Sequence, residues 1–117
     1  MALANYVDEN PKVMRAFMRG YLKGLVKVKS DYEGTKAILA KYAQIKDEEV
    51  NKQGYEYYKD LWEQEPRVDP ELIQLALDVL EDRAAAETID LKADIHDEFL
   101  LEQIDNGYLD ELYRTTK

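Results

Sequence analysis

Helix start signals recur along this chain. Asn10-Pro11 and Asp69-Pro70 each place a side-chain acceptor at a helix N-cap and a proline at the first helical position, where the missing N–H costs no hydrogen bond. The segment Ser30-Asp31-Tyr32-Glu33 has the pattern of a capping box, and Asp47-Glu48-Glu49 puts three carboxylates at the positive end of a further helix. The chain is therefore expected to fold as a series of helices.

A further start signal lies around Asp94 to Asp97, and Gly107 is the predicted stop of the helix that follows. These signals and the hydrophobic periodicity predict about five helices and one short helical turn, near residues 11–29, 31–43, 48–63, 70–86, 95–105 and 109–114. The segment 86–94 is the longest predicted loop. No segment alternates apolar and polar residues for long enough to predict a strand, although residues 1–6 resemble the stump of one. The predicted class is all-α, with residues 1–117 forming a single helical domain.

Composition and charge narrow the functional classes. The net charge of −9 is uneven, because residues 1–60 hold 11 basic and 9 acidic side chains whereas residues 61–117 hold 5 and 16. The acidic second half would repel phosphate backbones and anionic lipid. We therefore expect no nucleic-acid binding and no membrane insertion. Cysteine is absent, which excludes disulfides and thiolate metal sites. No signal peptide pattern follows Met1, and the chain as written is expected to be cytoplasmic.

No cluster of residue types predicts catalysis. The sequence has no Ser/His/Asp set, no cysteine nucleophile, no Gly-rich phosphate loop and no HExxH motif. His96, the only histidine, has Asp94, Asp97 and Glu98 as neighbours, but acids at a helix start are better explained by capping and the helix dipole than by metal ligation. We therefore expect no enzyme activity, no metal site and no cofactor.

The first predicted helix is strongly amphipathic. Its apolar face comprises Met14, Phe17, Met18, Tyr21, Leu25 and Val28. Basic side chains at positions 12, 15, 19, 23 and 27 run along the opposite face; they could bind phosphate or an acidic partner, but such a face is usually only solvated. Gly20 and Gly24 flank the apolar face, where they would let another helix approach closely.

The third predicted helix carries aromatic residues on more than one side. Tyr55, Tyr58 and Trp62 share one face by their three- and four-residue spacing, and a second face comprises Val50, Gly54, Tyr57 and Leu61. Core packing explains such a helix, and so does a binding surface, because these rings combine a large contact area with a polar tip. We identify Tyr55, Tyr58 and Trp62 as the candidate interface, and we predict that the chain forms a homodimer through it.

Five motifs follow one another in a familiar order. They are NPKVMRAF with YLKGL at residues 10–25, DYEGTKAILAKY at 31–42, the aromatic-rich helix at 55–62, VDPELIQ with LDVL at 68–80, and FLLE with GYLDELY at 99–113. This order resembles the C-terminal helices of periplasmic solute-binding proteins of ABC transporters, of the nitrate/sulfonate/taurine and thiamine-pyrimidine-precursor type. Nearly the whole chain takes part in the resemblance.

The resemblance implies that the chain is a truncated or excised helical fragment of a two-lobe α/β protein, without the ligand-binding lobes. The parent would capture a small molecule for import, contact an ABC permease and be periplasmic or extracellular. Family ligand contacts lie mostly in the absent lobes, so none is assigned to a residue here. The alternative is a free-standing helical module that binds a peptide or helix through Tyr55, Tyr58 and Trp62.

Overall fold

The computed structural model describes residues 4–80 and 87–116, and these two stretches contain helices and turns but no strand. The all-α class is therefore confirmed. The elements are α1 (Ala4–Glu9), α2 (Pro11–Ser30), α3 (Tyr32–Ile38), a π-helical turn (Leu39–Ala43), α4 (Glu48–Tyr58), α5 (Pro70–Asp78), α6 (Leu91–Asp94), α7 (Glu98–Asp105) and α8 (Tyr108–Thr115).

Aspartate side chains fix the starts of four of these helices. Each accepts a hydrogen bond from a backbone N–H of the first turn and so satisfies a donor that has no partner within the helix. The bonds join Asp31 Oδ1 to Gly34 N at 2.8 Å, Asp47 Oδ1 to Val50 N at 3.0 Å, Asp69 Oδ1 to Glu71 N at 2.9 Å, and Asp90 Oδ1 to Lys92 N at 3.0 Å. The starts predicted at Asp47 and Asp69 are confirmed.

Two predicted caps differ from the structure. Ser30 is the last residue of α2 rather than an N-cap, because its hydroxyl donates to the Val26 carbonyl at 2.8 Å, so the predicted capping box is wrong and Asp31 caps α3. Asn10 does precede α2, but its side-chain amide donates back to the Tyr6 carbonyl at 2.9 Å and makes no cap. Pro11 alone favours the start of α2 at this point.

Several predicted boundaries also need correction. Residues 4–9 form α1, so the strand stump suggested at residues 1–6 is wrong for residues 4–6, while residues 1–3 lie outside the described part. The predicted loop 86–94 contains α6. The helix predicted over 48–63 ends at Tyr58, and that predicted over 70–86 ends at Asp78, with residues 81–86 outside the described part. The described residues thus hold eight α-helices instead of about five and a short turn. The two that were missed, α1 and α6, have six and four residues, which is too short for hydrophobic periodicity to reveal.

The hydrophobic core lies where α2, in the first third of the chain, packs against the last two helices, α7 and α8. Leu22 and Val26 of α2 pack against Leu100 of α7 and Leu109 of α8, with partly buried side chains around them: Met18, Ile104, Tyr108, Leu112 and Tyr113. Gly107 adopts φ +77° between α7 and α8, a left-handed conformation that glycine reaches without steric cost, and it confirms the predicted stop. This turn lets α7 and α8 cover the same side of α2.

The rotation of α2 differs from the prediction. Its buried residues are Leu22 and Val26, whereas Phe17 and Tyr21 of the predicted apolar face are exposed. The basic residues are exposed, as expected, but two of them also contact α7: Arg15 Nε bonds to Glu102 Oε2 at 2.6 Å, and Arg19 Nε donates to Gln103 Oε1 at 2.8 Å. Helix α2 therefore packs through a partly basic face and leaves an apolar face uncovered.

Helix α5 is another amphipathic element with an exposed apolar side. Leu72, Leu75 and Val79 are 64%, 61% and 81% exposed, and their spacing places them along one side of the helix. Leu77, on another side, is buried. Among residues 4–80 and 87–116, no helix combines the length and apolar content needed to cross a membrane.

Candidate functional site

An apolar groove of about 420 Å³ lies where the end of α2, helix α3 with its π-helical turn, and α4 meet. We call it the α4 groove. It is lined by Val28, Thr35, Ile38, Leu39, Ile45, Val50, Asn51, Gly54, Tyr55, Tyr58 and Trp62. None of these side chains is charged, so the groove is suited to apolar surface.

Lys29 of α2 positions one end of the groove. Its ammonium group donates to the Lys59 carbonyl at 2.8 Å and also to the carbonyl of Trp62. In return the Tyr55 hydroxyl donates to the Lys29 carbonyl at 3.2 Å. A cation is favourable at a helix C-terminus, where carbonyl groups lack partners within the helix. These bonds join the turn that carries Trp62 to the end of α2.

Aromatic contacts order the inner wall. The Tyr55 ring lies 4.9 Å from the Tyr32 ring, centroid to centroid, at an interplanar angle of 60°. Burial raises the pKa of the Tyr55 hydroxyl above its usual value, so this group stays neutral over the physiological range. Tyr57 and Tyr58 form an edge-to-face pair with centroids 5.0 Å apart. Of this pair, Tyr58 borders the groove.

Two buried polar side chains also border the groove. Asn51 is 4% exposed and Thr35 is 7% exposed. The Asn51 Nδ2 group donates to the Ile45 carbonyl at 3.0 Å and so holds the connection between the π-helical turn and α4. The Asn51 Oδ1 atom and the Thr35 hydroxyl have no hydrogen-bond partner in the described part of the chain.

The structure brings the three candidate interface residues together, since Tyr55, Tyr58 and Trp62 all line the groove. Val50 and Gly54, which we placed on a second face of the same helix, line it as well. Thr35 and Asn51 were not predicted as site residues from the sequence, although a polar residue within an otherwise apolar helix face is a signal that can mark such positions. Trp62 also borders a neighbouring depression together with Tyr21, Gly24, Leu25 and Val28.

His96 lies apart from this groove and contacts Glu98, with 3.3 Å between Nδ1 and Oε1. Within residues 4–80 and 87–116, no three histidine or acidic side chains are close enough together to hold a metal ion.

The lining of the α4 groove can offer apolar contact and two hydrogen-bonding groups, Asn51 Oδ1 and the Thr35 hydroxyl. Comparisons of the chain with protein-family models, curated proteins and solved structures find no match.

Proposed function

We propose that this chain is the C-terminal helical part of a solute-binding protein of an ABC importer, in which its helices cover the ligand-binding lobes. The observation that carries the proposal is the exposure of apolar side chains on separate helices. Phe17 and Tyr21 are exposed on α2, Leu72 and Leu75 on α5, and Trp62 follows α4.

The free energy gained by burying apolar surface favours a partner that covers these exposed side chains. A surface helix of a small protein normally confines its apolar residues to the stripe that faces the core. Here α2 has a buried stripe at Leu22 and Val26 and a second apolar face that is uncovered. Burial of apolar surface stabilises by roughly 25 cal/mol per Å², so covering such a face contributes several kcal/mol. Helices that pack on lobes of a larger protein would show this distribution.

In this proposal the chain itself performs no reaction. The parent protein would take up a small molecule between its lobes and deliver it to an ABC permease outside the cytoplasm. The helices described here would stabilise the lobes from outside. The order of the five sequence motifs supports this function beside the exposed surfaces.

Co-expression tests the proposal. The two lobes of a solute-binding protein of this type, produced as a separate polypeptide, should co-purify with the chain in a one-to-one complex. Leu75→Glu should abolish the complex, because it places a charge on the exposed apolar side of α5. Gln74→Lys is the control: it adds a full charge at the adjacent exposed position, outside the Leu72–Leu75–Val79 row, where the ammonium group can still donate to Asp78 as the Gln74 amide does at 3.0 Å, and it should leave the complex intact. Failure of the unmodified chain to bind any such lobes would contradict the proposal.

The α4 groove favours a second candidate function, a free-standing helical module that binds a peptide or helix. Its aromatic wall of Tyr55, Tyr58 and Trp62 suits an amphipathic helix laid into an apolar groove. The DNA upstream of the Met1 codon distinguishes the two functions. A reading frame that encodes the lobes supports the first, and permease and ATPase genes nearby do so as well. A solitary gene supports the second.

A further inference from the structure

The two buried polar groups at the α4 groove lack what buried polar groups normally have. In folded proteins the large majority of such atoms have a hydrogen-bond partner, since leaving one without costs free energy. Asn51 and Thr35 are more than nine-tenths buried, yet the Asn51 Oδ1 atom and the Thr35 hydroxyl are unpaired within the described residues. Both side chains border the same cavity.

The orientation of the Asn51 amide is fixed by its neighbour. The Ile45 carbonyl is an acceptor, so the atom 3.0 Å from it must be the amide nitrogen. The free end of Asn51 is therefore the oxygen, which only accepts. The Thr35 hydroxyl can accept or donate. A molecule in the groove would satisfy Asn51 only if it carried a hydrogen-bond donor.

We propose that the α4 groove is a binding site for a neutral small molecule with an aromatic or apolar body and one donor group, such as a phenol or an indole. The body would lie among Tyr55, Tyr58 and Trp62, and the donor would bond to Asn51 Oδ1. The cavity of about 420 Å³ is within the range of small-molecule sites, which are mostly apolar with a few placed polar groups. This inference does not rest on the proposed solute-binding parent.

We expect a neutral ligand because no side chain that lines the groove is charged. An ionised group that enters such a groove would lose its hydration without gaining an opposite charge. A neutral donor costs less free energy to bury, and its bond to Asn51 Oδ1 replaces the hydrogen bond that it loses to water. The aromatic rings add offset or edge-to-face contacts with a ring of the ligand.

Gly54 keeps the groove open. It lies within α4 and lines the cavity, and no atom lies within 4 Å of the position that a Cβ would occupy there, apart from its immediate surroundings in the helix. A glycine inside a helix is less favourable than alanine by about 1 kcal/mol. A side chain at position 54 would enter the free space, so a larger residue provides a means of filling the site without removing any existing contact.

Titration of the full chain with 4-phenylphenol tests the proposal. Calorimetry should show saturable one-to-one binding, and the indole N–H signal of Trp62, the only tryptophan, should shift in NMR spectra. The matched probe is 4-methoxybiphenyl, which has the same two rings but no donor. It should bind roughly tenfold more weakly, because it leaves Asn51 Oδ1 unpaired.

Variants distinguish binding in the α4 groove from nonspecific binding of the probes elsewhere on the chain. Asn51→Leu should reduce the affinity for 4-phenylphenol to that for the ether. If loss of the Asn51–Ile45 bond unfolds this variant, Thr35→Val provides a second test: it leaves Asn51 Oδ1 in place, so the roughly tenfold difference between the probes should remain. Gly54→Leu should abolish binding of both. Gly20→Leu on α2, which also adds a side chain in open space, should bind like the unmodified chain. No saturable binding, equal affinity for the two probes, or undiminished binding by Gly54→Leu would each overturn the proposal.

Discussion

Replacement of Leu22 by alanine measures how much of the stability resides where α2 meets α7 and α8. Leu22 has no exposed surface and belongs to the core cluster with Val26, Leu100 and Leu109. Leucine-to-alanine changes at such positions cost about 2–5 kcal/mol, and more when the surrounding structure cannot collapse into the cavity. Here three helices border the site, so we expect a loss of about 3–5 kcal/mol.

The size of the protein makes this loss large. The total unfolding free energy of a domain is about 5–15 kcal/mol, so a loss of about 3–5 kcal/mol is at least a fifth of the stability and at most all of it. Urea unfolding followed by helical circular dichroism gives the free energy, and an unchanged slope with denaturant shows that the same surface is exposed in both proteins. A large fall in the midpoint concentration is expected.

Leu72→Ala is the matched control, because it makes the same chemical change at a helical position that is 64% exposed. Exposed substitutions of this kind are usually within about 0.5 kcal/mol of neutral. Equal losses for Leu22→Ala and Leu72→Ala, or a loss below about 1 kcal/mol for Leu22→Ala, would refute the assignment of the core to the face of α2 that carries Leu22 and Val26.

Three further predictions concern association, charge and pH. Light scattering at micromolar concentration should give twice the chain mass of 13.7 kDa, and Trp62→Ala should shift it toward the monomer; a monomeric mass at every accessible concentration would contradict the predicted homodimer. Added salt should modestly raise the melting temperature by screening the net charge of −9, so a steady fall between low and physiological salt would count against this effect. The pKa of Asp31 is lowered mainly by the hydrogen bond from Gly34 N and next by the contact with Lys27. The ionised form of Asp31 therefore stabilises the fold above the unfolded pKa of about 3.9, and this contribution disappears as the pH falls through the lower folded pKa. The melting-temperature difference between the chain and Asp31→Asn, which can still cap α3, should therefore shrink below about pH 4, and a constant difference would show that ionisation of Asp31 has no effect.

Helix starts were predictable because they depend on local chemistry. Asp69-Pro70 specifies a cap and a first turn within three residues, and the structure forms both. Asp47 likewise caps α4 at the predicted position. Helix ends were less predictable: α4 ends at Tyr58, where Lys29 of α2 bonds to carbonyls of the following turn. That bond joins residues about thirty positions apart, and local sequence patterns contain no information about it.

The packed face of α2 was mispredicted for a similar reason. Periodicity identified the side with Phe17 and Tyr21 as apolar, but positions 21 and 22 differ by about 100° around the helix, and the side with Leu22 is the one that α7 and α8 cover. Because α2 has two apolar faces, its sequence alone does not show which of them is buried. The buried Gln103, which accepts from Arg19, shows that polar contacts contribute to the choice.

These polar contacts have a consequence for function. The bonds from Arg15 to Glu102 and from Arg19 to Gln103, with the Arg19 guanidinium 4.9 Å from the centre of the Tyr108 ring, hold α2 at one rotation about its axis. A helix held on that side must present its other apolar face outward, since rotation to bury Phe17 would break these bonds and expose Leu22. The exposed face is thus a stable feature of the folded chain, and a lobe, a peptide or a second copy can cover it without disturbing the core.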